Sequence, residues 1–275
     1  MAGESIDILT GMIVDFHTHI FPDELAHSTL HKLSSEIDNI YPVVTDGTVS
    51  GLIARMDEWG IDVSVVQPVI TRPSQAHSIN TWAASICSER LVSFGAVHPL
   101  SDDYKRDIDF VVELGLKGLK IHPEYQYFEV DDNRVLPVYD YALSKGLILL
   151  FHAGDDPGFS PPFKSSPKQF ARILESMQGG VIIAAHLGGH AMWDEVEEYL
   201  VESSIYLDTS MGFEYYPQEQ FLRIVKNHGA DKILFASDSP WSYTNEEIAC
   251  FKALPLSLEE KAAILGGNAK RILQI

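Results

Sequence analysis

Eight short apolar runs punctuate this chain, starting at residues 12, 62, 91, 116, 147, 181, 205 and 232. Most are nearly continuous, as in Leu147-Ile148-Leu149-Leu150-Phe151, where a half-exposed strand would alternate apolar with polar residues. Continuous runs of this length belong to strands covered on both faces, the habit of parallel sheets. Between them apolar residues return at helical spacing: Val49, Leu52, Ile53, Met56 and Trp59 form one stripe, stopped by Gly60. Comparable patterning predicts helices over 79–90, 103–114, 136–145, 167–177, 192–201, 218–227, 245–254 and 257–273, while 23–47 reads as a polar connection with some helical character.

Repeated β–α units predict a parallel sheet with right-handed crossovers and helices packed on it. Eight such units suit a (β/α)8 TIM barrel, one domain over 1–275 with an additional C-terminal helix; a doubly wound open sheet is the alternative. The polar residues decide between them. His17 and His19, His98, His122, His152, His186 and Asp238 all fall at or just past the C-terminal ends of the runs. Barrel active sites occupy that face, whereas strand ends so widely separated in an open sheet would not converge.

Composition narrows the reading. A length of 275 residues fits a barrel, for which about 250 is typical. The formal net charge of −19 excludes partners that need a basic surface, nucleic acid and anionic membranes among them, and leaves a small-molecule substrate; a homodimer is compatible with it. Cys87 and Cys250 stand far apart and outside any C-x-x-C pattern, so neither a disulfide framework nor a thiolate zinc site is indicated, which suits a reducing cytoplasm. Met1 to Thr10 lacks the pattern of a signal peptide, and no run is long and apolar enough to span a bilayer.

The first run, Met12-Ile13-Val14, leads into Asp15-Phe16-His17-Thr18-His19. Side chains two apart on a strand share a face, with Cα atoms roughly 6.5–7 Å apart, so His17 and His19 can converge on one metal ion. Taken alone, H-x-H is equally well two polar residues at a strand exit. Read in chain order, H-x-H after the first strand, His152 after the fifth, His186 in His186-Leu187-Gly188-Gly189 after the sixth and Asp238 after the eighth resemble the amidohydrolase superfamily. The resemblance covers nearly the whole chain and points to the amidohydrolase-2 branch of metal-dependent hydrolases and non-oxidative decarboxylases. The opening also resembles polymerase-and-histidinol-phosphatase enzymes, but those usually close on D-x-H, and here Ser239-Pro240 follows Asp238.

The resemblance implies His17, His19, His152 and Asp238 as ligands of a divalent metal. Three imidazoles and a carboxylate suit Zn²⁺ first, and also Mn²⁺, Fe²⁺ or Co²⁺. It further implies Asp238 as proton carrier and His186 as the group that steadies a developing oxyanion, or that ligates a second ion. Lys120 bears on that choice, as a carboxylated bridge between two ions or as a positive group beside one; one ion per chain is the favoured expectation. His122 and Arg72 are the expected substrate contacts, with Asp155, Trp241 and Tyr243 on the same rim. His27, His31, His77, His190 and His228 read as structural or solvated. The expected activity is hydrolysis of an amide, lactone or ester by metal-activated water; the alternative is metal-dependent decarboxylation of an unsaturated or aromatic acid, and a metal-binding scaffold without catalysis is the third reading.

Overall fold

The computed structural model describes residues 11–177 and 179–275. The first ten residues, over which no leader pattern is read, lie outside the described residues.

Nine short strands follow one another: β1 (Val14–Thr18), β2 (Val63–Val66), β3 (Leu91–Ser93), β4 (Gly95–Ala96), β5 (Gly118–Ile121), β6 (Ile148–Phe151), β7 (Ile182–Ala184), β8 (Tyr206–Asp208) and β9 (Ile233–Leu234). Every ladder between them is parallel, in the order β1-β2-β3 and β4-β5-β6-β7-β8-β9. β3 and β4 are two pieces of one barrel strand, interrupted at Phe94, whose amide donates to Val66 O at 2.9 Å. Nine elements therefore fill eight positions, matching the eight runs in the sequence.

Backbone bonds between the first and last strands close the circle. Phe16 N donates to Phe235 O (3.0 Å), Asp238 N to His17 O (2.9 Å) and His19 N to Ser239 O (2.6 Å), and Thr18 pairs in parallel with Ser239. An open sheet would leave these edges unpaired, so the chain is a TIM barrel.

Alternate residues of one strand fall into two apolar clusters. Leu149, Phe151, Ile182 and Ile233 pack with helix residues such as Ile108, Val138 and Ile224, while Ile148, Leu150, Ile183 and Leu234 pack mainly with other strand residues. The second cluster fills the barrel. Extending its period of two carries His152 and Asp238 to the inner side at the C-terminal mouth.

The helices differ from expectation at four places, the first being the helix expected over 79–90, which runs over Ala76–Ser85. The polar connection holds a full helix, Asp23–Glu36, and a short helix, Pro123–Gln126, follows β5. The long last helix is broken into Leu258–Ala262, a π turn at Ala263–Gly267, and Asn268–Leu273. Gly266 explains the break: a Cβ there would lie 2.0 Å from Met12 O, so the segment can press against the start of β1 only with glycine at that point.

Candidate functional site

The two histidines of β1 and its exit meet Asp238 across the barrel seam. Nε2 of His17 and Nε2 of His19 lie 3.1 Å apart, and Asp238 Oδ1 is 3.4 Å and 3.1 Å from them. Asp238 adopts φ +64°, a left-handed conformation that aspartate tolerates better than most side chains. Asp15 fastens the seam just below. Its carboxyl accepts from Ser237 N at 2.9 Å and from Ser237 Oγ at 2.6 Å, and burial pushes its pKa up to about 7 against these hydrogen bonds.

Asp208, at the end of β8, is the residue that reading the sequence missed. Its Oδ2 lies 3.0 Å from His17 Nδ1, and its Oδ1 accepts from His186 N and Ser210 N, both at 3.0 Å, and from Ser210 Oγ. Burial raises its pKa, but the His17 imidazole and the hydrogen bonds outweigh this and hold it down to about 2. A carboxylate on Nδ1 orients the ring and makes Nε2 the better metal donor. Only its place at a strand end, beside Thr209 and Ser210, could have marked it in the sequence.

His186 and His152 continue the cluster. Nε2 of His186 is 3.1 Å from Nδ1 of His152, and Ser210 Oγ is 2.9 Å from His186 Nδ1. His122 stacks on His152 with ring centroids 4.3 Å apart, and its Nε2 lies 3.4 Å from Asp156 Oδ2. Ligand atoms of His17, His19 and Asp238 gather within 4.8 Å of one another, as do those of His122, His152 and Asp156. His152 thus belongs to the neighbouring trio, joined to the first through His186, whose ring centroid is 5.5 Å from that of His17.

Burial favours the neutral form of four of the imidazoles, His19, His122, His152 and His186. It lowers the pKa of His19, takes His122 and His152 well below the usual value, and brings His186 to about 3 despite Asp238. Burial alone would raise Asp238, but His17, His19 and His186 overcome it and hold the carboxylate below its ordinary range. Lys120 Nζ lies 2.8 Å from His17 Nε2, and burial brings the amine down to about 8 against nearby carboxylates. The amine and a metal ion are alternatives for that lone pair.

The donor set fits a divalent ion. Neutral imidazoles and an ionised carboxylate are the protonation states a metal requires. Asp238 Oδ1 and His152 Nε2 are buried with no hydrogen-bond partner among the described residues, and an unpaired buried polar atom is costly unless something else binds it.

A cavity of about 1010 Å³ opens above these groups, lined by His17, His19, Lys120, His122, His152, His186 and Asp238 at its base. Arg72, Asp155 and Trp241 line it further out, whereas Tyr243 borders a separate small hollow. His190, read as structural or solvated, also lines the cavity, and both its ring nitrogens are buried without a partner among the described residues. His98 is not among the lining residues; its Nδ1 accepts from Leu100 N at 3.3 Å. Among the other histidines, His228 is buried with Nε2 2.8 Å from Ile205 O, and His27, His31 and His77 are exposed. No described helix is long and apolar enough to cross a membrane.

Solved structures share this fold at low sequence identity. The 5-carboxyvanillate decarboxylase LigW from Sphingomonas paucimobilis matches with a TM-score of 0.72 and 18% identity, over 97% of this chain and 100% of its own. A dihydroxybenzoic acid decarboxylase from Polaromonas sp. JS666, with bound manganese and the inhibitor 2-nitroresorcinol, gives 0.70 and 16%, over 96% and 97%. An uncharacterised TIM-barrel protein from Bordetella bronchiseptica gives 0.76 and 17%, over 96% and 98%. No curated protein matches the chain in sequence. Decarboxylases predominate among these structural relatives, which overturns the expectation of a hydrolase and favours the alternative. The family model described as Amidohydrolase matches residues 14–275, and the chain belongs to that family.

Proposed function

We propose that the protein is a metal-dependent, non-oxidative decarboxylase of an aromatic or unsaturated carboxylic acid. The observation that carries this reading is the base of the cavity. There a carboxylate oxygen with no hydrogen-bond partner, Asp238 Oδ1, and a buried amine, Lys120 Nζ, both face His17 Nε2, so a proton carrier and a cationic group share one spot. The decarboxylase activities of the structural relatives support the same reaction class.

His17, His19 and Asp238 would hold one divalent ion per chain, with His152, whose buried Nε2 has no partner among the described residues, turning from the neighbouring trio as the fourth donor. The ion would neutralise negative charge on the bound acid and fix its orientation. Manganese takes precedence over zinc as the ion to load first, because the Polaromonas relative carries it. Asp208 holds His17 in place, and His186, anchored by Ser210 at Nδ1, meets His152 Nδ1 with its Nε2 and so positions the His152 ring.

As the C–C bond to the carboxylate breaks, its electron pair stays on the substrate carbon, and CO2 leaves. That carbon takes a proton relayed through the Asp238 carboxyl group from water entering the cavity, and the hydroxide left behind is neutralised by a proton from solvent. The turnover consumes one proton overall. Arg72 and His122 contact the remainder of the substrate.

The test is release of CO2 by Mn²⁺-loaded protein from a panel of aromatic and unsaturated acids that includes 5-carboxyvanillate and a dihydroxybenzoate. Asp238→Asn should lower turnover at least ~10²-fold, the scale of a lost general acid–base group. Metal-loaded protein that releases no CO2 from any of these acids would refute the proposal.

A further inference from the structure

The cavity is far larger than a one-ring acid requires. Its volume of about 1010 Å³ stands at the top of the range of about 300–1,000 Å³ for small-molecule sites, and its outer wall carries Tyr41, Trp82, Tyr125, Tyr127 and Trp241. Such a wall suits an extended, flat, apolar body.

Three cations line the cavity: Lys32, Arg72 and Lys120. Lys120 is 2% exposed at the base. Lys32 is 3.7 Å from Glu36 on its own helix. Arg72 is exposed at the mouth. Among the described residues its guanidinium makes neither an ion pair nor a hydrogen bond. Each of the other seven arginines has at least one such contact, for example Arg90 with Asp57, Arg172 with Asp131, Arg223 with Glu197 and Arg271 with Tyr206. In a chain with 39 acidic residues against 20 basic ones, an arginine on a cavity wall without a carboxylate stands out.

The backbone that carries Arg72 is held firmly. Gln75 Oε1 accepts from Thr71 N (2.9 Å) and Arg72 N (3.0 Å), and Gln75 N donates to Arg72 O at 3.1 Å. Pro73 opens the 3-10 turn that follows. The platform is fixed while the side chain stays free to form the paired N–H bonds that carboxylate, phosphate and sulfate groups accept.

We infer that the substrate is an elongated acid with two anionic groups, one lost at the base of the cavity and the other held at its mouth by Arg72. This rests on the decarboxylase reading for the chemistry at the base, but its test is binding. Mn²⁺-loaded protein is titrated with a biphenyl dicarboxylate bearing its acid groups at opposite ends, and separately with the matching biphenyl monocarboxylate, following quenching of tryptophan emission or the heat of binding.

The dicarboxylate should bind the wild-type protein at least tenfold more tightly than the monocarboxylate. Arg72→Gln should bring that ratio close to one, and Arg72→Lys, which keeps the charge and loses the fork, should leave it in between. Equal binding of the two acids to the wild type, no binding of either, or an unchanged ratio in Arg72→Gln overturns the inference. Tight, Arg72-dependent binding of the dicarboxylate with no CO2 from any acid would remove decarboxylation and leave the second anion site standing.

Discussion

At the scale of the residue, the chemistry of this site depends on groups that hold other groups. Asp208 touches His17 Nδ1 at 3.0 Å and the backbone amide of His186 at 3.0 Å, so it fixes two imidazoles at once. Asp208→Asn keeps the shape and removes the charge that makes His17 a strong donor. Metal affinity should fall about 10–100-fold, the usual effect of losing such a partner, measured by competition with a chromophoric chelator. Unchanged affinity would mean that Asp208 serves only the fold. Glu247 offers a pH test away from the metal ligands. It is buried, accepts from Phe213 N at 3.2 Å, and burial raises its pKa from 4.5 to about 7 against that bond. The unfolded chain ionises Glu247 above about pH 4.5 while the folded chain keeps it protonated until about 7. Stability is therefore lost as pH rises through that window and levels off above it. Glu247→Gln removes the loss, so its advantage over the wild type in urea unfolding should be absent near pH 4 and grow to on the order of 1–3 kcal/mol by pH 8; a pH-independent difference would contradict the assignment. The sequence made the ligand candidates legible because histidines at strand ends stand out against apolar runs. It hid Asp208 and His190, since a carboxylate beside Thr209-Ser210 and a histidine after two glycines look like ordinary loop residues until the chain is folded.

At the scale of the element, short strands and their exits fix the site, and most of them could be read from continuous hydrophobicity. The exits could not. Asp155 N donates to His190 O at 3.0 Å and His190 N to Ala153 O at 2.9 Å, so the loops after β6 and β7 are zipped together by backbone, which leaves no trace in side-chain pattern. Gly154 makes this contact feasible: it has φ +85°, and a Cβ there would lie 2.3 Å from His190 N. Gly115 has a similar φ of +73° but open space around it. Gly154→Ala should therefore cost more than Gly115→Ala, which pays only the conformational term of roughly 1 kcal/mol; by urea unfolding the gap should be at least ~2 kcal/mol. Equal costs would show that the loops part without penalty. The helix over 23–36 was only half legible for a related reason. Ala26, Leu30 and Ser34 are its buried positions, too thin an apolar stripe to declare a helix without its surroundings. Likewise Gly266, which breaks the last helix, answers a contact with Met12 more than 250 residues away, and no local pattern encodes such a partner.

At the scale of the molecule, the candidate metal centre lies on the seam where the barrel closes. His17 and His19 come from the first strand and its exit and Asp238 from the segment after the last strand, and the same stretch carries the closing bonds Phe16 N to Phe235 O, Asp238 N to His17 O and His19 N to Ser239 O. An ion bound by both ends therefore ties the N-terminal unit to the C-terminal one, so binding and barrel closure should be linked. Any ligand of the folded state alone stabilises it by about 2.7 kcal/mol at a hundred times its dissociation constant. Amide exchange tests where that stabilisation acts. Protein stripped with chelator and then reloaded with Mn²⁺ should gain protection chiefly at residues 14–20 and 233–241, together with a higher melting temperature. The amides of β5 and β6, which pair only with neighbouring strands, should change less. Protection spread evenly around the barrel would mean that the ion stabilises the fold as a whole without fastening its seam. No change at either end would mean that His17, His19 and Asp238 do not share one ion, and the proposed chemistry would lose its centre.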